Sequence, residues 1–225
     1  DVEHLRGKQM FADAAILFSI AAFGASIMLI SQMFHIDGNP PNAILAWWLG
    51  AFLSGVVLRS NPALAFAMVL VAVWTGMKTG DSGHVHWPFL AAWAAITAAF
   101  VWHKWQPGTH ISAIALAGFV ISLGYTLETA APHLIVAGIG LAAALAAVTV
   151  LRLHIGFDAI AAPALGYAIG VLFAALFALQ FIENTTTLQL LIYAAATLAL
   201  LLAAIGYGLS YDHRGALWLG YFGFS

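Results

Sequence analysis

From Phe11 to Ser210 the sequence is a succession of apolar runs, interrupted only by short clusters of proline, glycine and charged residues. The runs are continuous rather than alternating, which excludes the in–out pattern of a transmembrane β-barrel. Of the 225 residues, 63% are hydrophobic and 7% charged, whereas a soluble domain is roughly 25% charged. A soluble fold of this length needs a polar shell that this chain cannot supply, so lipid must cover most of its surface. A spanning helix takes about 20 apolar residues. The expected fold is therefore all-α: a polytopic transmembrane helical bundle of about eight spans plus the start of a ninth.

Proline, glycine and charge mark where one span ends and the next begins. The first run covers about Phe11 to Phe34 and stops at HIDGNPPN. The second covers about Ala43 to Leu58, ending at Arg59-Ser60-Asn61-Pro62, and the third about Ala63 to Met77. KTGDSGHVHWP leads to a fourth, about Phe89 to Trp102, and HKWQPGTH to a fifth, about Ile111 to Leu127. The sixth, seventh and eighth cover about His133 to Leu151, Ala159 to Ile182 and Leu188 to Ser210. Spans two to four hold about 14 to 16 residues, roughly 21–24 Å of helix against a ~30 Å hydrocarbon core. They are expected to borrow loop residues, thin the bilayer locally or pack inside the bundle. No internal repeat stands out. Residues 1–225 are expected to form a single transmembrane domain. Asp1 in place of Met, and the apolar ending ALWLGYFGFS, lead us to expect a fragment of a longer chain.

Basic residues orient the spans. Numbering the loops alternately puts Arg6, Lys8, Arg59, Lys104, Arg152 and Arg214 on one side and only Lys78 on the other. That six-to-one division is the positive-inside pattern of short loops, and it places the N-terminal side in the cytoplasm. Asp37, Asp81, Glu128 and Glu183 then fall on the external face. Net charge is −2, which gives no basic footprint for nucleic acid. There is no cysteine, so disulfides and thiolate chemistry do not arise.

Two groups of residues have the chemistry of a site. Lys78 to Pro88 forms the richest external loop, and Asp81, His84 and His86 have the residue types to ligate zinc or another divalent ion. The simpler reading, which we favour, is that they are polar loop residues at headgroup level. No cofactor is therefore expected, with a divalent metal on those three side chains as the alternative. Gln32 and His35 end the first span, and Trp47 and Trp48 lie in the second. They could line a binding cavity; for the tryptophans, packing or interfacial anchoring is the commoner role. No carboxylate falls at an expected midplane, which counts against a relay of buried acids. Gly166 and Gly170 make a GxxxG, with Gly138 and Gly140 as further small-residue contacts. GxSxG, HExxH and phosphate-loop motifs are all missing.

The segment from Phe23 to Trp74 has a distinctive order: a small-residue span ending Gln32-Met33-Phe34-His35, a loop with Gly38, then a span with Trp47 and Trp48 ending Arg59-Ser60. In this it resembles the bacterial membrane proteins of domain of unknown function family 2157. The likeness covers about the first eighty residues well and the rest loosely. It implies a bacterial inner-membrane protein and draws attention to Gln32 and His35, but it implies no reaction.

The expected function is a non-enzymatic one: transport or binding of a small or lipid-like molecule within the bundle. The alternatives are an accessory or structural subunit contacting partner membrane proteins, and a membrane-embedded enzyme acting on lipid or envelope precursors. The lipid bilayer is the one partner common to all three.

Overall fold

The computed structural model describes residues 2–33, 40–125, 130–153, 156–182 and 185–211, with Ala216 and Gly220. The side chains of residues 1–6, 31, 32, 125 and 159 lie outside this description. The described residues form eight α-helices and no strand: α1 (Val2–Met33), α2 (Pro40–Val57), α3 (Asn61–Ser82), α4 (Pro88–Trp102), α5 (Gln106–Tyr125), α6 (Ala130–Leu153), α7 (Asp158–Ala178) and α8 (Thr187–Tyr211). A short 3₁₀ turn, Leu179–Phe181, follows α7. Seven of the helices are long and apolar enough to cross a membrane. The remaining one, α4, has 15 residues. The start of the expected ninth span falls largely outside the described residues.

The burial pattern is that of a membrane protein. On α8 the residues turned inward are Thr197, Leu201, Ala204 and Gly208, while Leu188, Leu191, Leu198, Leu202 and Leu209 face outward. Small side chains let helices approach closely, and large apolar ones meet lipid tails at no cost. A water-exposed helix would reverse this order.

The chain divides into two compact units, residues 1–115 and 116–225. In the first, α2 and α3 pack closely, and α3 also meets α4 and α1. Its core is a stripe of Leu64, Met68 and Val71 on α3 and Phe89, Ile96 and Phe100 on α4, all fully buried. The spacing i, i+4, i+7 is that of one helical face. Trp47 of α2 lies flat on Gly24 of α1, where a Cβ would run into the indole. Its Nε1–H donates to the carbonyl of Ile20 at 2.9 Å. Trp93 of α4 does the same across to the Ser112 carbonyl on α5, at 2.8 Å. Inside lipid an indole N–H finds no water, and for these two tryptophans a neighbouring helix supplies the acceptor.

This unit builds the same kind of helix corner twice. The turn after α2, Arg59-Ser60-Asn61-Pro62, recurs 45 residues later after α4 as Lys104-Trp105-Gln106-Pro107, with Trp48 and Trp93 in matching positions. Each helix closes with a bond back over five residues, Ser60 N–H to Gly55 O at 3.0 Å and Trp105 N–H to Phe100 O at 3.1 Å. This is the Schellman closure, which needs a left-handed residue at the position before the donor. Arg59 and Lys104 adopt it, at φ 52° and 53°. The glycine lies on different arms of the two corners: Leu64 packs over Gly55 in the first, and Phe100 over Gly108 in the second. The likeness is hard to see in the sequence, because of the four turn residues only Pro62 and Pro107 are identical.

The two ends of this unit are defined by side-chain contacts. His103, just after α4, hydrogen-bonds through Nδ1 to Asn61 Oδ1 at the start of α3 (2.9 Å). His86, just before α4, rests edge-on against Trp74, further along α3. So α4 runs between the same two ends as α3, and the exposed Trp87 and Trp102 stand at its ends. Tryptophan in such positions suits a membrane interface and compensates for a short apolar length. The third expected span is longer than its apolar run. α3 continues through Lys78 and Asp81 to Ser82 and is closed by Gly83 at φ 66°. This is the borrowing of loop residues expected of a short run, and it moves Lys78 and Asp81 from a loop onto a helix.

In the second unit α6 packs along α7, and α7 meets α8. Gly140 makes the close approach: a Cβ there would lie 2.9 Å from the Leu172 backbone nitrogen. Val136 and Ala137 meet Val171, Leu172 and Ala175 on one side of this contact. Ala147, Leu165, Ile169 and Ala204 pack together in a second cluster. Gly166 and Gly138 have open space where a Cβ would go, so the close helix contact is at Gly140 rather than at the first glycine of the GxxxG. Gln180 Nε2–H donates to Thr197 Oγ1 at 3.1 Å, joining the 3₁₀ turn to α8.

Candidate functional site

α1 and α2 are held at both ends of their contact and parted between. Trp47 on Gly24 pins one end. At the other, the Ser60 hydroxyl donates to Asp13 Oδ1 at 2.6 Å. Ser60 leads into α3 but does not cap it; its proton is used across to α1 instead. This also accounts for Asp13, whose carboxylate lies just inside the first span and is bound by a hydroxyl rather than left to lipid.

Between the two pins runs a groove of about 420 Å³, lined by Ala15, Ile16, Ser19, Ile20, Phe23, Gly50, Ser54 and Leu58. The groove exists because its floor is small. Gly50 carries no side chain, and a Cβ there would just touch Phe23 at 3.4 Å. Among the described residues that line it, Ser19 and Ser54 are the only polar side chains, and both donate back to their own helices, to Ala15 O and Gly50 O, each at 2.8 Å. With those protons already engaged, the groove offers a solute no free hydrogen-bond donor. It can receive hydrocarbon and it disfavours a polar guest.

The residues singled out in the sequence fall in three places. His35 lies outside the described residues, as does the side chain of Gln32. Trp47 forms the pin beside the groove, with Phe66 edge-on at 5.6 Å. Trp48 turns the other way into the core, 5.9 Å from Trp74. His86 continues this row, with its ring 4.3 Å from Trp74 and perpendicular to it. The structure thus brings together one tryptophan and one histidine that the sequence placed in separate groups. The Nε1 atoms of Trp48 and Trp74, Thr75 Oγ1 and His86 Nδ1 are all buried without a hydrogen-bond partner. Burial, and secondarily the charge of Lys78, hold the His86 imidazole below the ordinary histidine range.

Asp81 and His84 are exposed, and His84 is bound through its backbone to Ser82. Among the described residues no group of three or more histidine, cysteine, aspartate or glutamate side chains is placed to hold a metal ion. Sequence reasoning missed the groove because its signal is negative: Gly50, Ser54 and Ser19 face one another only once the two helices are paired.

No curated protein and no solved structure matches the chain. Residues 2–64, which include every residue lining the groove, match the family described as "Predicted membrane protein (DUF2157)", so the part of this multi-pass membrane protein that holds the groove is similar to that family.

Proposed function

We propose that this chain binds a lipid-like molecule, one acyl chain of which occupies the α1–α2 groove. The observation that carries this reading is the chemistry of the groove: about 420 Å³ of space whose two hydroxyls are already bonded within their own helices. That volume lies within the ~300–1,000 Å³ of small-molecule sites. A polar solute would forfeit its water there and gain no donor, whereas hydrocarbon loses nothing. This narrows the sequence expectation from any small molecule to an apolar chain.

We further propose that the end bearing Arg59 and Lys104 faces the cytoplasm, in a bacterial inner membrane. The six-to-one division of basic residues supports this orientation. The test of the groove is native mass spectrometry of the chain released from a neutral detergent with added diacylglycerol. The expected result is one retained diacylglycerol on the unaltered chain, and none on Gly50→Leu or Ser54→Leu, which fill the groove. Equal retention by all three proteins, each melting at a similar temperature, would overturn the reading.

A further inference from the structure

The repeated corners place two cations where the chain has reason not to put them. A left-handed residue at a helix end is most cheaply glycine, and α3 uses Gly83 for that purpose. A residue with a Cβ costs about 1–2 kcal/mol in the left-handed conformation. At both corners of the first unit that cost falls on a basic residue, Arg59 and Lys104. A cation at a helix C-terminus is favoured by the helix dipole, but by only about 0.3–1 kcal/mol at an exposed site. The dipole therefore offsets part of the strain and not all of it. Strain that persists in this way gathers at sites of function.

Both cations line one pocket of about 390 Å³, together with Gln9, Asn61, Trp102 and His103. Every one of those side chains carries a hydrogen-bonding group, in contrast to the apolar groove. The Arg59 guanidinium lies over the Trp102 ring, 5.6 Å from its centre. This is a cation–π contact, which holds the guanidinium beside the pocket. With Asn61 Oδ1 accepting from Nδ1–H of His103 at 2.9 Å, the second ring nitrogen, Nε2, is buried with no partner. Asp13 is engaged by Ser60 and is not part of the lining.

We propose that this pocket binds a phosphate group, carried either by a membrane lipid or by a small soluble ester. Two cations of different reach, a guanidinium held over an indole and a flexible ammonium, suit the oxygens of a tetrahedral anion. Gln9 and Asn61 add amide N–H donors. The inference rests on residues outside the groove and stands without it.

The test uses Arg59→Gly and Lys104→Gly together. Glycine fits the left-handed backbone, so the double variant is expected to melt no lower than the unaltered chain, and loss of binding cannot be assigned to misfolding. Inorganic phosphate is titrated calorimetrically in neutral detergent, and phosphatidylglycerol is compared with diacylglycerol by native mass spectrometry. A soluble ligand gives saturable phosphate binding. A lipid ligand gives at least a tenfold preference for phosphatidylglycerol over diacylglycerol. In either case the double variant is expected to lose tenfold or more. Diacylglycerol retention reports on the groove alone, so it separates failure of that reading from failure of this one. Neither phosphate binding nor a phosphatidylglycerol preference, or either of them surviving the double substitution, would overturn the proposal.

Discussion

His86 shows how one side chain joins two groups that the sequence kept apart. Its ring stands against Trp74, and its Nδ1 is buried without a partner. Burial disfavours the charged form, and Lys78 adds a smaller push in the same direction. The folded protein therefore binds this proton less readily than the unfolded chain does. The contribution of His86 to stability is complete above the ordinary histidine pKa of about 6.5 and declines as pH falls below it. Melting temperature is expected to drop between pH 7 and pH 5, and to drop less in His86→Phe, which keeps the aromatic contact without the proton. An equal drop in the two proteins would show that His86 does not carry the effect. The residue types at this site were legible in the sequence, but their partners were not. Trp48 and His86 lie 38 positions apart and meet only through Trp74, and the Ser60–Asp13 bond spans 47 residues.

Among the helices, glycine position decides which pairs are close. Gly140 lies against the α7 backbone at Leu172, and Gly166 faces open space. Gly140→Val is expected to destabilise the α6–α7 pair by about 1–3 kcal/mol, the usual cost of overpacking a tight contact. Gly166→Val is expected to leave the melting temperature nearly unchanged. The reverse order would mean that α6 and α7 pack through the GxxxG. Existence and order of the helices could be read from hydropathy because each span is apolar over most of its length. Their ends could not, since α3 takes in Lys78 and Asp81 before Gly83 stops it. The corners were legible as breaks, through Pro62 and Pro107. That the same break is built twice, on Arg59 and Lys104, emerged only from the backbone.

For the whole molecule, the absence of cysteine provides a direct route to topology. Single cysteines at Lys104 and at Asp81 should be labelled by a membrane-impermeant maleimide from opposite sides of the membrane. A cysteine at Arg59 should behave as the one at Lys104 does. Within α3, Asn61 and Lys78 are about 26 Å apart along the helix, close to the ~30 Å hydrocarbon thickness. Labelling of positions 81 and 104 from the same side would contradict a crossing by α4.

The central claim is that hydrocarbon occupies the groove between α1 and α2, and photo-crosslinking tests it where it is made. A phospholipid carrying a diazirine on its acyl chain is reconstituted with the full chain, irradiated, and the adducts are mapped by peptide mass spectrometry. Adducts are expected to concentrate on Ile16, Ile20, Phe23 and Leu58, above the level found on the outward leucines of α8. Labelling of Leu191, Leu198 and Leu202 as strong as that of the groove residues would mean ordinary lipid contact, and would contradict a built site.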